Sequence, residues 1–200
     1  ILPGITYYDG TGASYTAGEL TSGQVSDIEG KKLRTYDYRT VSYVKADGTT
    51  ATADAIPLTS GGATTLAGGW YVAQGTVNYT GCVTLNGDVN IILADGCTLN
   101  IGTADARISN DNCIWGGINS LTIYGQSTEG DNVGQLNAYN SSGTYRAVYV
   151  KNYTQYGGKV TIDDTGDDAL YFEEGDLTLA RGTLTAKAHD AGRCAILLNN

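Results

Sequence analysis

The sequence predicts an all-β fold: a right-handed parallel β-helix over about 66–200, closed by an irregular β cap over 1–65. Three observations lead there. Stretches of the second half recur at a fixed offset. Within each copy, apolar and polar residues alternate over three to five positions, the period of a short strand with one buried face. Helix signals are few: Met is absent, only 16% of residues are charged, and 28 of 200 are Gly. Gly with Thr, Tyr and Val favours strands joined by turns.

Taken in chain order, the first 65 residues are irregular and rich in Thr, Ser and Gly. They contain one hairpin signal, "TVSYVKADGTTATADAI" (40–56), with Asp47-Gly48 at its turn. This segment is expected to cover one end of the solenoid, because open strand edges invite aggregation. The repeat is clearest between "GQLNAYNSSGTYRAVYVKN" (134–152) and "GTLTAKAHDAGRCAILLNN" (182–200), which align without a gap at an offset of 48 residues. "DALYFEE" (168–174) falls between them, so 48 residues make two turns of about 24.

Three strand series follow from this spacing. In the first, Val83 and Leu85, Val148 and Val150, Leu170 and Phe172, and Ile196 and Leu198 are expected inward. In the second, "VNIIL", "LTIYG", "VTIDD" and "LTLAR" place Val89, Ile91, Leu121, Ile123, Val160, Ile162, Leu177 and Leu179 inward. Their outward partners are Asn90, Thr122, Thr161 and Thr178. The third series, "TLNI", "QLNA" and "TLTA", turns Leu99, Ile101, Leu136, Ala138, Leu184 and Ala186 inward. A slip of one residue would put all of these into water, so the register is strongly specified. The last copy, "CAILLNN", stops on the first strand of a fresh turn. That predicts a chain continuing past residue 200, or an edge covered by a protein partner or by self-association.

The totals narrow the function classes. Net charge is −9 with twelve scattered Lys and Arg, which argues against nucleic acid, whose phosphates need clustered cations. No run of about twenty apolar residues exists to insert into a membrane. The chain opens on "ILPG" without Met, as expected of a trimmed or mature piece. The cysteines Cys82, Cys97, Cys113 and Cys194 form no C-x-x-C pair, and His189 is the single histidine, so a structural zinc site is not expected. Cys82 and Cys113 fall at equivalent places in successive turns, and free thiols are expected there over a disulfide, because the spacing between stacked strands exceeds the usual Cβ separation.

"GGWYVAQGTVNYTGCVTLNGDVNIILADGCTLNI" (68–101), "NSLTIYGQ" and "GQLNA" resemble the β-helical repeat proteins of gut bacteria, secreted or surface-anchored. The resemblance spans roughly 66–140 and carries a W-Y-V, G-D-V-x-x-I-L-x-D-G-x-T-L and L-T-I-Y-G-Q series. It implies an extracellular or cell-surface module of a bacterium, carbohydrate-binding or adhesin-like, with a polysaccharide or host glycan as partner. A fold alone does not fix that function.

Two constellations carry candidate chemistry. If Cys82, Cys113, Ala147, Ala169 and Ala195 are equivalent, then Thr84, Trp115, Tyr149, Tyr171 and Leu197 share one outward column. Trp115, Tyr149 and Tyr171 would then form a ladder of rings that could stack on sugars or merely on one another, with Tyr139, Tyr145, Tyr153 and Tyr156 nearby. The second is "DDTGDDALYFEEGD": Asp163, Asp164, Asp167 and Asp168 flank a Thr-Gly turn and are candidate ligands for calcium, or form a solvated acidic corner. "GDDAL" (166–170) also resembles the Asp-Asp motif of β-helical polygalacturonases, the basis for an alternative pectin-active enzyme. It departs from that family upstream, where "NYT" lacks the expected acid, and His189 sits in "AHD" rather than between glycines.

Overall fold

The computed structural model describes residues 4–16, 18, 30–62 and 64–199. Among these there is no helix, and most strands pair in parallel. β1 (Thr6–Tyr8) and β2 (Ser14–Thr16) form a small antiparallel pair. β3 (Arg39–Val44) and β4 (Thr50–Pro57) form the expected hairpin. Its turn runs through Asp47, whose carboxylate accepts from the Thr49 backbone N–H (2.9 Å) and hydroxyl (2.7 Å). Gly48 follows at φ 87°, a conformation that costs Gly little.

The remaining strands stack into three parallel ladders. The first joins the start of β5 (Thr65–Ala73), the start of β7 (Val83–Leu93), β9 (Ile114–Trp115), β12 (Val148–Val150), β14 (Leu170–Glu173) and β16 (Ile196–Asn199). The second joins the end of β4, the ends of β5 and β7, β10 (Leu121–Gly125), and the starts of β13 (Tyr153–Asp164) and β15 (Leu177–Ala188). The third joins β6 (Thr76–Tyr79), β8 (Thr98–Ile101), β11 (Gln135–Asn140) and the ends of β13 and β15. Long strands thus pass from one ladder to the next through a bend. At one bend the backbones of Gly68 and Gly87 nearly touch: a Cβ on Gly87, at φ +117°, would lie 2.9 Å from Gly68.

The core is the inner face of these ladders. Val83, Leu85, Val89, Ile91, Leu99, Ile101, Leu121, Ile123, Leu136, Ala138, Val148, Val150, Leu170 and Phe172 are all buried, as the alternation requires. On the outer face of the third ladder, Asn137 donates to Asn100 and Asn100 to Asn78, each at 2.9 Å.

Three expectations need correction. Val160 and Ile162 belong to the third ladder, paired with Leu136 and Ala138. Their expected place in the second is taken by Tyr153 and Gln155, opposite Leu121 and Ile123. Gln155 faces inward yet is polar, so alternation gave no sign of it. Its amide is satisfied by the Tyr153 hydroxyl (3.0 Å) and the carbonyls of Gly158 and Thr183 (both 3.1 Å). Leu179, Ile196 and Leu198 are exposed at 52%, 38% and 46%, because no described strand stacks beyond β15 and β16. Cys113, Ala147 and Ala169, two positions before Trp115, Tyr149 and Tyr171 and outward with them by alternation, are instead fully buried, since the chain bends just before each of these strands. All four cysteines are free, and burial pushes the Cys82 and Cys97 thiols up to about 11.

Candidate functional site

The first ladder sets Thr84, Trp115, Tyr149, Tyr171 and Leu197 in one register, rung above rung. Their exposure differs sharply. Trp115 is 43% exposed, Tyr149 is half-buried, and Tyr171 is only 7% exposed. Tyr171 is covered because the Arg146 guanidinium lies 4.5 Å from its ring centroid and Tyr149 meets it edge-on, at 4.9 Å and 84°. Strand parity places Tyr171 outward, but its neighbours roof it over. It therefore serves as the floor of the column, not as a free platform.

The Tyr149 hydroxyl donates to the Glu173 carboxylate. Burial, with that anion second, pushes the phenol up to about 12. Beside these rings runs a groove of about 310 Å³ lined by Gly117, Ile118, Lys151, Glu173 and Glu174. A second depression shares Lys151 and Glu174 and extends to Asn152, Gly175 and Asp176. Gly117 joins the groove to the tryptophan, because a Cβ there would already sit 3.5 Å from the indole. Glu174 is the one described non-Gly residue with positive φ (55°), and its N–H donates to the Asn199 carbonyl at 3.1 Å. An open indole at the edge of a groove lined by carboxylates can offer a stacking plane and hydrogen-bond acceptors side by side.

The other named tyrosines scatter. Tyr153 is a core residue at 1% exposure, and Tyr145 is 42% exposed. Tyr139 lies under Arg107, 5.3 Å from guanidinium carbon to ring centroid. Tyr156 joins a second aromatic stack, Tyr43–Trp70–Tyr124–Tyr156, with successive ring contacts including 4.8, 4.9 and 5.2 Å. That stack ties the β3–β4 hairpin to the second ladder. Trp70 and Tyr124 were readable as outward aromatics of "WYV" and "LTIYG", but Tyr43 arrives from outside the repeat and carries no such signal.

The four aspartates are not gathered into one oxygen cage. Asp163 and Asp164 are consecutive in β13, so their side chains take opposite faces. Outside, Asp163 accepts from Arg107 (2.6 Å) and stands 3.2 Å from His189 Nε2. Arg107 and His189 together outweigh burial, which pulls the other way, and hold its carboxyl below the ordinary value. Inside, Asp164 is fully buried. Asp167 pairs with Arg193 at 2.8 Å, and Asp168 accepts from the Cys194 N–H at 2.7 Å. These contacts pin the 189–195 segment to the preceding repeat. Among the described residues no group of three or more His, Cys, Asp or Glu is placed to hold a metal ion.

Asp164 is the register partner of Asn140 and makes the same local turn. Asn140 Oδ1 accepts from the Ser142 N–H (2.6 Å), and Asp164 Oδ1 accepts from Gly166 (2.9 Å) and Asp167 (3.0 Å). Asn140 also donates through Nδ2 to the Asp111 carbonyl at 2.8 Å, whereas Asp164 Oδ2 is buried and makes no well-formed hydrogen bond, with the Ala147 backbone N–H nearby. Burial raises the Asp164 carboxyl above its ordinary value. A raised folded-state value means its stabilising contribution is complete at low pH and is lost as pH climbs through that value. Asp164→Asn removes this buried charge and is therefore expected to stabilise the fold at neutral pH by about 1 kcal/mol. The gain should shrink as pH falls toward 4, the unfolded carboxylate's range. Urea midpoints across pH 4–8 check this, and a variant less stable at pH 7 would contradict it.

Searches of protein-family models, curated proteins and solved structures return no match to this chain.

Proposed function

We propose that the chain is a glycan-binding module, secreted or displayed on a bacterial surface, whose ladders wind as a right-handed parallel β-helix. The hand follows the strong preference of parallel crossovers. The observation that carries the reading is an exposed indole, Trp115, in register with Tyr149 and bordering Gly117 at the edge of a groove lined by Lys151, Glu173 and Glu174. A pyranose has one apolar face of C–H groups, which an indole can cover while hydroxyls reach carboxylates at the rim. Its location follows from the resemblance to surface and secreted proteins of gut bacteria.

Retention on affinity gels carrying immobilised polysaccharide tests the reading. Trp115→Ala with Tyr149→Ala is expected to weaken binding of a retained glycan by at least about thirtyfold, roughly 2 kcal/mol, as for an aromatic hot spot. The rings are not core residues, so the unfolding free energy from urea titration should stay within about 1 kcal/mol of the parent. Unchanged retention by a folded double variant rejects the site.

A second reading is a structural stalk or protein-binding adhesin segment, favoured by the apolar residues Leu179, Ile196 and Leu198 left open on the last repeat. It predicts concentration-dependent association in sedimentation experiments and no binding to a glycan array.

A further inference from the structure

The groove beside Trp115 carries an uneven charge. Glu173, Glu174 and Asp176 line its two adjoining depressions, against Lys151 in the groove and Arg146 behind it, stacked on the Tyr171 ring. Glu173 is tied to the Tyr149 hydroxyl, and the backbone of Glu174 is fixed by its bond to Asn199. The Glu173 carboxylate is therefore held beside Tyr149, one rung from the indole, and Glu174 follows it on a fixed backbone. A uronate lying on Trp115 would bring its carboxylate toward these anions, whereas an amino sugar would bring an ammonium. Opposite charges a few ångströms apart attract appreciably even near water, and like charges repel by a similar amount.

We infer that this groove selects glycans bearing free amino groups over glycans bearing carboxylates. The inference rests on the glycan-binding reading of the same site and names its substrate class. It separates the site from the uronate-rich polymers on which pectin-active enzymes work.

The test compares three soluble oligomers of similar length by calorimetric titration at about pH 6. They are a glucosamine oligomer with free amines, its N-acetylated form, and an oligogalacturonate. At about 0.05 M salt the expected order is amine, then acetylated, then uronate, with about tenfold between the first and last. At about 1 M salt the Debye length falls to roughly 3 Å and the spread should collapse. Glu173→Gln with Glu174→Gln keeps an acceptor for Tyr149 and should flatten the order while Trp115-dependent binding persists. Asp105→Asn with Asp131→Asn makes the same change in net charge at exposed positions in other loops, and should leave the order intact. Uronate bound as tightly as the amine would overturn the inference, as would equal flattening by both double variants. If Trp115→Ala changes the binding of none of the three oligomers, the glycan reading itself fails, and this inference with it.

Discussion

Phe172→Ala should lower stability by about 4 kcal/mol, the range for emptying a fully buried phenylalanine site. Phe172 is the only phenylalanine in the chain and is 0% exposed. In the first ladder it stacks between Val150 on one side and Leu198 on the other. Strands locked on both flanks cannot close the void by sliding, because each rung is hydrogen-bonded to the next. With a urea slope of about 2 kcal/mol per molar, the midpoint should fall by about 2 M. Leu198→Ala occupies the next rung of the same column but is 46% exposed, so it should cost about 1 kcal/mol or less. Equal midpoint shifts for the two variants would mean that the last repeat is covered in solution, or that Phe172 is not where the ladder puts it.

Gly175→Ala is expected to cost about 3 kcal/mol, the upper end for forcing extra atoms into a packed site. A Cβ at this position would sit 1.6 Å from the Lys151 carbonyl oxygen and 2.9 Å from Asn152 Oδ1. Both belong to the preceding repeat, at a corner that has little freedom to move. Asn152 Oδ1 accepts from the Asp176 N–H (2.9 Å), its Nδ2 donates to Ser120 (3.0 Å), and its carbonyl accepts from Leu121 (2.9 Å). Relief of the clash must shift that corner and, with it, Glu174 in the groove. A loss of stability together with weaker glycan binding is the expected pair of results in urea and calorimetric titrations. A parental midpoint would show that the two repeats do not approach this closely.

Much of this was legible in the sequence where a physical period wrote it. The equivalence of Ala147, Ala169 and Ala195 led to the register Trp115–Tyr149–Tyr171, and the strands pair in that register. Inward positions from Val83 to Phe172 followed from alternation, because a half-buried strand must alternate. What failed was whatever depends on cover from the side. Tyr171 is outward by parity, yet Arg146, next to a fully buried alanine, folds over its ring. Gln155 breaks the apolar pattern at an inward place because a tyrosine hydroxyl and two carbonyls satisfy its amide. That concealed the passage of β13 through two ladders. The acidic run "DDTGDD" looked like one cluster in one dimension, but strand geometry sends Asp163 and Asp164 to opposite faces. Composition showed carboxylates in number, while only their partners, Arg107, Arg193 and backbone N–H groups, decide what each can do.

The glycan reading comes down to whether Trp115 touches the ligand. The chain has two tryptophans, Trp70 and Trp115, and Trp70 lies in the stack with Tyr43 and Tyr124. Trp70→Phe keeps an aromatic ring in that stack and leaves Trp115 as the sole indole reporter. On titration with a retained glycan, the emission of this variant should shift to the blue and become protected from a soluble quencher, saturating at the concentration given by calorimetry. Trp115→Phe, reporting only from Trp70, should show no such change. A Trp115 emission that stays fixed while the glycan binds would place the sugar elsewhere on the molecule and contradict the account.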